Sequence, residues 1–200
     1  MKILLLSREK DYFDLSKHLS LFGNLTIHFE KISPNIGSYD LIISYCYGPI
    51  LKEKEIEKLK GPILNLHPSY LPYGRGIYPI LWGSAQNQPL GSTIHLIENN
   101  EIDNGSILIQ ELINYDTKLT LSQIHCILTN LSKQLLLKLL AKGFPKNSDF
   151  KKSKPNNNIA KYTYKNRSQG IKFFELLPHG WNTTIDEVRE VYTKNKDLLI

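Results

Sequence analysis

Cysteine is almost missing from this 200-residue chain: Cys46 and Cys126 are the only two. They form no C-x-x-C pair, which argues against a disulfide framework and against a zinc or other metal site. Both then read as small buried hydrophobes, in a chain that is cytoplasmic by default. Long apolar runs are missing as well. None approaches the ~18 residues of a membrane helix, so no membrane association is expected. The start, MKILLLSREKDYF, lacks a long apolar region and a small-residue cleavage site, and reads as a first strand rather than a signal peptide. Neither GxGxxG nor GxxxxGK[ST] follows that strand; Ser7, Arg8, Glu9 and Lys10 stand there. This argues against a dinucleotide or P-loop site. There is no GxSxG elbow to activate a serine, and no internal repeat.

What remains is ordinary for a soluble globular chain, with 41% apolar and 22% charged residues. The length suits one domain with a small addition. The net charge of +6 favours anionic partners. The excess gathers in residues 146–165, beside Asn and Pro, where a solvated linker explains it equally well. No RNA- or DNA-binding motif accompanies it, so nucleic acid is not an expected partner.

Apolar runs at residues 3–6, 24–29, 41–44 and 63–66 read as strands. Helical spacing is expected over residues 11–21, with Gly23 as C-cap, and over residues 52–60, stopped by Gly61 and Pro62. Strand and helix in alternation predict an α/β fold with a mostly parallel sheet. The short link between the second and third strands suggests an abbreviated N-terminal half. A short helix follows at residues 78–85, with Pro79 in its first turn. Residues 92–97 and 107–110 then read as an antiparallel pair joined by residues 98–105. The longest helix is expected at residues 121–142, with Thr120 as N-cap and Gly143 at its end. Its apolar stripe would be Ile124, Ile127, Leu128, Leu131, Leu135 and Leu139. The organisation predicted is a main domain at 1–142, a linker or mobile loop at 143–160, and a small C-terminal appendage at 161–200. That appendage packs on the main domain or supplies a homodimer contact.

The stretch LNLHPSYLPYGRGIYPILW and its continuation to Gln110 carry the chemistry. Asn65 and His67 sit two apart at the carboxyl end of the fourth strand, so both face one side. Open α/β sheets bind ligands there. An amide can donate to a developing oxyanion, and an imidazole can exchange a proton near neutral pH. Pro68 and Pro72 stiffen the exit from the strand. Asp103 could approach from the later loop and orient His67 or hold a proton-relaying water. An amide, imidazole and carboxylate without an activated nucleophile suggest direct acyl transfer. The same residues also read as a satisfied core amide and imidazole with a turn aspartate. Composition and spacing alone leave both readings open.

The longer pattern resembles the formyltransferases that use N10-formyltetrahydrofolate. Asn65, His67, Pro68, Ser69, Leu71, Pro72, Arg75, Gly76, Thr93, His95, Asp103, Gly105 and Gln110 follow the family order, over residues 40–110. The resemblance implies a Rossmann-like sheet. It also implies that Asn65, His67 and Asp103 are catalytic, supported from behind by Thr93 and His95. The folate co-substrate would lie along Tyr47, Pro49 and Leu51 and the loop residues Asn99, Asn100 and Ile102. Arg75 and Tyr78 would approach the other substrate.

Within the family, the absent Gly-Ser-Asn loop after the first strand argues against a glycinamide ribonucleotide acceptor. About sixty residues follow Leu140, too few for the C-terminal barrel of a methionyl-tRNA formyltransferase. The segments HPSYLPYGRGIYPILW and LPHGWNTTIDEV resemble enzymes that formylate nucleotide-linked amino sugars. The acceptor implied is a dTDP-4-amino-4,6-dideoxyhexose, a precursor type of cell-surface polysaccharides such as O-antigen in lipopolysaccharide. Formylation of methionyl-tRNA or a siderophore hydroxylamine, hydrolysis of the formyl folate, and non-catalytic folate binding are the alternatives.

Overall fold

Continuous apolar runs build the strands, because a parallel strand covered on both faces has no polar side to show. In the computed structural model, residues 1–30, 32, 36–146, 152–154 and 166–199 are described. The strands are β1 (Lys2–Ser7), β2 (Asn24–His28), β3 (Leu41–Tyr45), β4 (Ile63–His67), β5 (Gly91–Leu96) and β6 (Ile107–Leu112). They form one sheet in the order β2-β1-β3-β4-β5-β6. β1 pairs in parallel with β2 and β3, and β3 with β4, where Ser44 lies opposite Asn65. The second half reverses direction. The Leu96 N–H donates to the Ser106 C=O and the Ile113 N–H to the Leu90 C=O, the pattern of an antiparallel pair. The helices are α1 (Phe13–Leu19), α2 (Glu53–Lys58), α3 (Pro79–Ala85), α4 (Leu121–Ala141), α5 (Arg167–Glu175) and α6 (Ile185–Leu199). Among the described residues, no helix is long and apolar enough to cross a membrane.

The chain divides into two compact units that do not follow the boundaries expected from sequence. The first comprises Met1–His67, Ile94–Ile109 and Lys133–Lys154; the second comprises Pro68–Thr93, Gln110–Ser132 and Pro155–Ile200. In the first, Leu4, Leu6, Ile42 and Ile63 from three strands pack with Leu51 and Leu59. Burying each such side chain stabilises by roughly 1.5–3 kcal/mol. In the second, Trp82 of α3 lies at the centre, 1% exposed. Its ring is 4.9 Å from Phe173 of α5 and 6.3 Å from Tyr192 of α6. The C-terminal helices share a core with α3 and the start of α4.

Several local expectations change. α1 ends at Leu19 with Ser20 as its cap, so Gly23 is not the C-cap. A Cβ on Gly23 would come within 2.0 Å of the Met1 carbonyl oxygen, and this close approach explains the glycine. On α4, Thr120 is the N-cap as expected, Gln123 bonds back to it to complete a reciprocal cap, and Gly143 follows the helix at φ +90°. The stripe is shifted: Leu136 and Leu140 are buried while Ile127 is 40% exposed. Cys126 shares that outer face and is exposed; Cys46 is half-buried. Most of the predicted linker, and most of the basic stretch, lies outside the described residues.

Candidate active site

β4 delivers Asn65 and His67 on one face, as the two-residue period requires. β5 returns beside it. The Ile97 N–H donates to the Ile63 C=O, while the Asn65 and His95 side chains meet two residues away on each strand. An antiparallel pair has this register. The loop from β5 to β6 then brings in Asp103, which holds φ +49°. Aspartate tolerates this left-handed conformation better than most residues. Behind it, Gly105 packs so closely that a Cβ would meet the Leu96 carbonyl oxygen at 1.7 Å.

One oxygen is the meeting point. Asp103 Oδ1 accepts from Asn65 Nδ2 at 3.1 Å. It lies 3.5 Å from His95 Nε2 and 3.7 Å from His67 Nδ1. His95 Nδ1 is 2.9 Å from the Leu96 carbonyl oxygen, which can only accept. In the neutral ring this puts the proton on Nδ1, so Nε2 accepts from Asn65 Nδ2 at 3.1 Å. Both N–H groups of Asn65 are therefore directed, one at His95 and one at Asp103. The amide cannot rotate without breaking a pair of bonds. Both histidines are buried, His67 at 5% and His95 at 2% exposure. Asp103 faces Nδ1 of His67, which leaves Nε2 as the ring nitrogen on the far side.

The other expected residues have settled places. Thr93 Oγ1 donates to the Ser69 C=O at 2.7 Å and accepts from the Leu71 N–H at 3.1 Å, so it ties down the loop that leaves β4. Ser69 Oγ donates to the Tyr73 C=O at 2.7 Å, a structural bond at 2% exposure rather than the setting of a nucleophile. Arg75 is half-buried in the same loop. Tyr78 holds φ +53° at the start of α3. Its ring stacks on Phe174 at 5.3 Å, so most of that face meets protein.

On the folate side, Leu51 is 6% exposed and belongs to the first unit's core; its neighbour Ile50, 65% exposed, is the apolar side chain that faces outward. The Tyr47 hydroxyl donates to the Glu30 C=O at 2.5 Å. Burial first, and Glu55 second, push its pKa up to about 12. Pro49 is half-buried. Asn99 Oδ1 accepts from the Glu101 N–H at 2.9 Å and shapes the loop, Asn100 is exposed, and Ile102 is half-buried.

A formyl transferase family model matches residues 32–140. Methionyl-tRNA formyltransferase of Rickettsia bellii is 32% identical over 127 residues, 63% of this chain and 40% of that protein. The bovine mitochondrial methionyl-tRNA formyltransferase is 32% identical over 129 residues, 63% of this chain and 33% of that one. The chain thus spans well under half the length of these relatives. Among solved structures, the formyltransferase PseJ of Anoxybacillus kamchatkensis is 26% identical with a TM-score of 0.79. The likeness covers 94% of this chain and 97% of PseJ, which is seen with UDP-4,6-dideoxy-4-formamido-L-AltNAc and tetrahydrofolate. A 4-N formyltransferase of Francisella tularensis shares the fold at 20% identity and a TM-score of 0.72, over 86% of this chain and 79% of that one. With a family match over residues 32–140, more than half of the 200 present, the chain belongs to the formyl transferase family.

Proposed function

We propose that this protein moves a formyl group from N10-formyltetrahydrofolate to the amine of a nucleotide-linked amino sugar. The observation that carries the reading is the convergence of Asn65, His67 and His95 on Asp103 Oδ1. In the transfer, the acceptor amine attacks the formyl carbon and a C–N bond forms. The carbonyl oxygen takes up charge, the bond to the folate N10 breaks, and N10 gains a proton while the amine loses one. His67 Nε2, the ring nitrogen facing away from Asp103, takes the proton of the amine. Asp103 steadies the imidazolium that results. Asn65 donates to the oxyanion by trading one of its two bonds, and His95 keeps the amide plane in place meanwhile. Buried donors aimed at developing charge are worth roughly 10²–10³-fold in rate each.

The acceptor class is supported by PseJ, matched almost end to end and bound to a formamido sugar on UDP. The dTDP-linked 4-amino-4,6-dideoxyhexoses share the same amine and ring. The test is incubation with N10-formyltetrahydrofolate and a panel of UDP- and dTDP-linked amino sugars, followed by mass spectrometry. A gain of one formyl group on one of them is expected. Folate binding with no product across the panel would sink the acceptor assignment. A second reading, methionyl-tRNA as acceptor, is favoured by the 32% identical relatives. Salt-sensitive tRNA binding together with tRNA formylation would replace the sugar.

A further inference from the structure

The loop that carries Asp103 is closed at its base by a carboxylate. Glu98, just after β5, accepts from the Ser106 N–H at 2.9 Å and from Ser106 Oγ at 2.9 and 3.0 Å. Ser106, 3% exposed, is the residue before β6. The two ends of the loop are thus held together by one side chain. Residues 152–154, distant in sequence, lie across this point. Ser153 and Ile107 exchange both backbone hydrogen bonds, at 2.8 and 3.0 Å, and add a bridge to the start of β6. The next residue, Lys154, places Nζ 2.7 Å from Glu98 Oε2.

We propose that Glu98, Ser106 and Lys154 form a latch that sets the position of Asp103, with residues 152–154 as its strap; this rests on the formyl-transfer role given to Asp103. Glu98 and Lys154 act here as positioning residues, through Asp103. Charge-assisted bonds to a carboxylate are short and directional, so the latch fixes the spacing of the loop ends. The loop holds the left-handed turn at Asp103 and the close approach at Gly105, and small shifts at its base move Oδ1 against His67 and Asn65. Burial pushes the Glu98 carboxyl up. The hydrogen bonds from Lys154 and Ser106 and the Lys154 charge outweigh burial and hold it below the usual range.

The test is steady-state kinetics of the full chain with the acceptor amine varied. Glu98→Gln is expected to lower kcat about ten-fold, with KM for the amine within about two-fold. Lys154→Ala is expected to lower kcat by about two- to five-fold at low salt, the range of an exposed ion pair, and less at high salt. Lys154→Arg restores the rate, and adding Lys154→Ala to Glu98→Gln changes nothing further. If Glu98→Gln does not fold, Ser106→Ala, which keeps the backbone bond, gives the same direction. Ser153→Pro, which removes the donor to the Ile107 C=O, lowers kcat alongside Lys154→Ala. Wild-type kcat in both Lys154→Ala and Ser153→Pro at every salt concentration, in an enzyme whose wild type is active, overturns the latch. An inactive wild type instead overturns the formyl-transfer reading beneath it.

Discussion

The two units use their buried residues in opposite ways. In the first, the space beside the end of β4 holds two imidazoles, an amide and a carboxylate, and each bond there limits the others. In the second, the space around α3 is filled by Trp82, Phe173 and Tyr192, whose rings meet at 4.9 to 6.3 Å. Aromatic pairs of this kind add ~0.5–1.5 kcal/mol beyond area burial. A polar cluster of the first kind adds little net stability, because its members leave water to meet one another. Histidine shows the contrast most plainly. His67 and His95 face a part-buried carboxylate. His125 packs edge-on against Trp181 at 5.7 Å, and His179 lies 62% exposed, 3.7 Å from Glu187. Residue type does not mark a site; the setting does.

Substitutions in the two units should therefore separate activity from stability. Asp103→Ala and His67→Ala are each expected to lower formyl transfer by at least ~10²-fold, with melting temperatures close to wild type. A large melting shift with preserved turnover would reverse the assignment of that cluster. Phe173→Ala is expected to cost about 3–5 kcal/mol in denaturant unfolding, because it empties the middle of the aromatic core. A cost below ~1 kcal/mol would show that the C-terminal helices are not part of that core.

Acid should act on the first unit's surface carboxylates. Asp14 and Glu98 are both held below their ordinary values of 3.8 and 4.5, Asp14 by the hydrogen bond and charge of Lys133, Glu98 by Lys154 and Ser106 against the opposing effect of burial. A depressed carboxyl contributes stability above its unfolded value and loses it as pH falls through its folded one. Stability is expected to be flat from pH 7 to about 5 with respect to these groups, and to fall below about 4.5. The fall should be shallower in Glu98→Gln; an unchanged profile would remove Glu98 from the explanation. The smallest effect is chemical. Burial pushes the Cys46 thiol up, whereas Cys126 lies on the open face of α4. A thiol reagent near neutral pH should label Cys126 first; faster labelling of Cys46 would contradict its partial burial.

The sheet was legible because its strands are short apolar runs divided by turn residues. Asn65 and His67 were legible as a pair because strand geometry fixes which residues share a face. Asp103 stands out in the sequence only as a carboxylate at a turn, and the family pattern added its catalytic role, since a loop residue 36 positions after His67 has no periodicity to reveal it. The role of His95 depended on the register of β4 against β5, which no local signal contains. The contact of Lys154 with Glu98 is hidden for another reason: Lys154 sits in a stretch that reads as linker by composition. The packing of the C-terminal helices is not legible locally, because their partners, Trp82 and Leu121, lie far back in the chain. Ile127 was placed in the core stripe of α4 because an ideal spacing does not say which edge of the stripe reaches the surface.

The most direct test of the account is single-turnover transfer from N10-formyltetrahydrofolate, with and without an amino-sugar nucleotide, in the wild type and in Asp103→Asn. The account predicts a formylated amine in the wild type, little formate released without acceptor, and a loss of at least ~10²-fold in the variant. Wild-type transfer by Asp103→Asn, or formate release that ignores the amine, would contradict it.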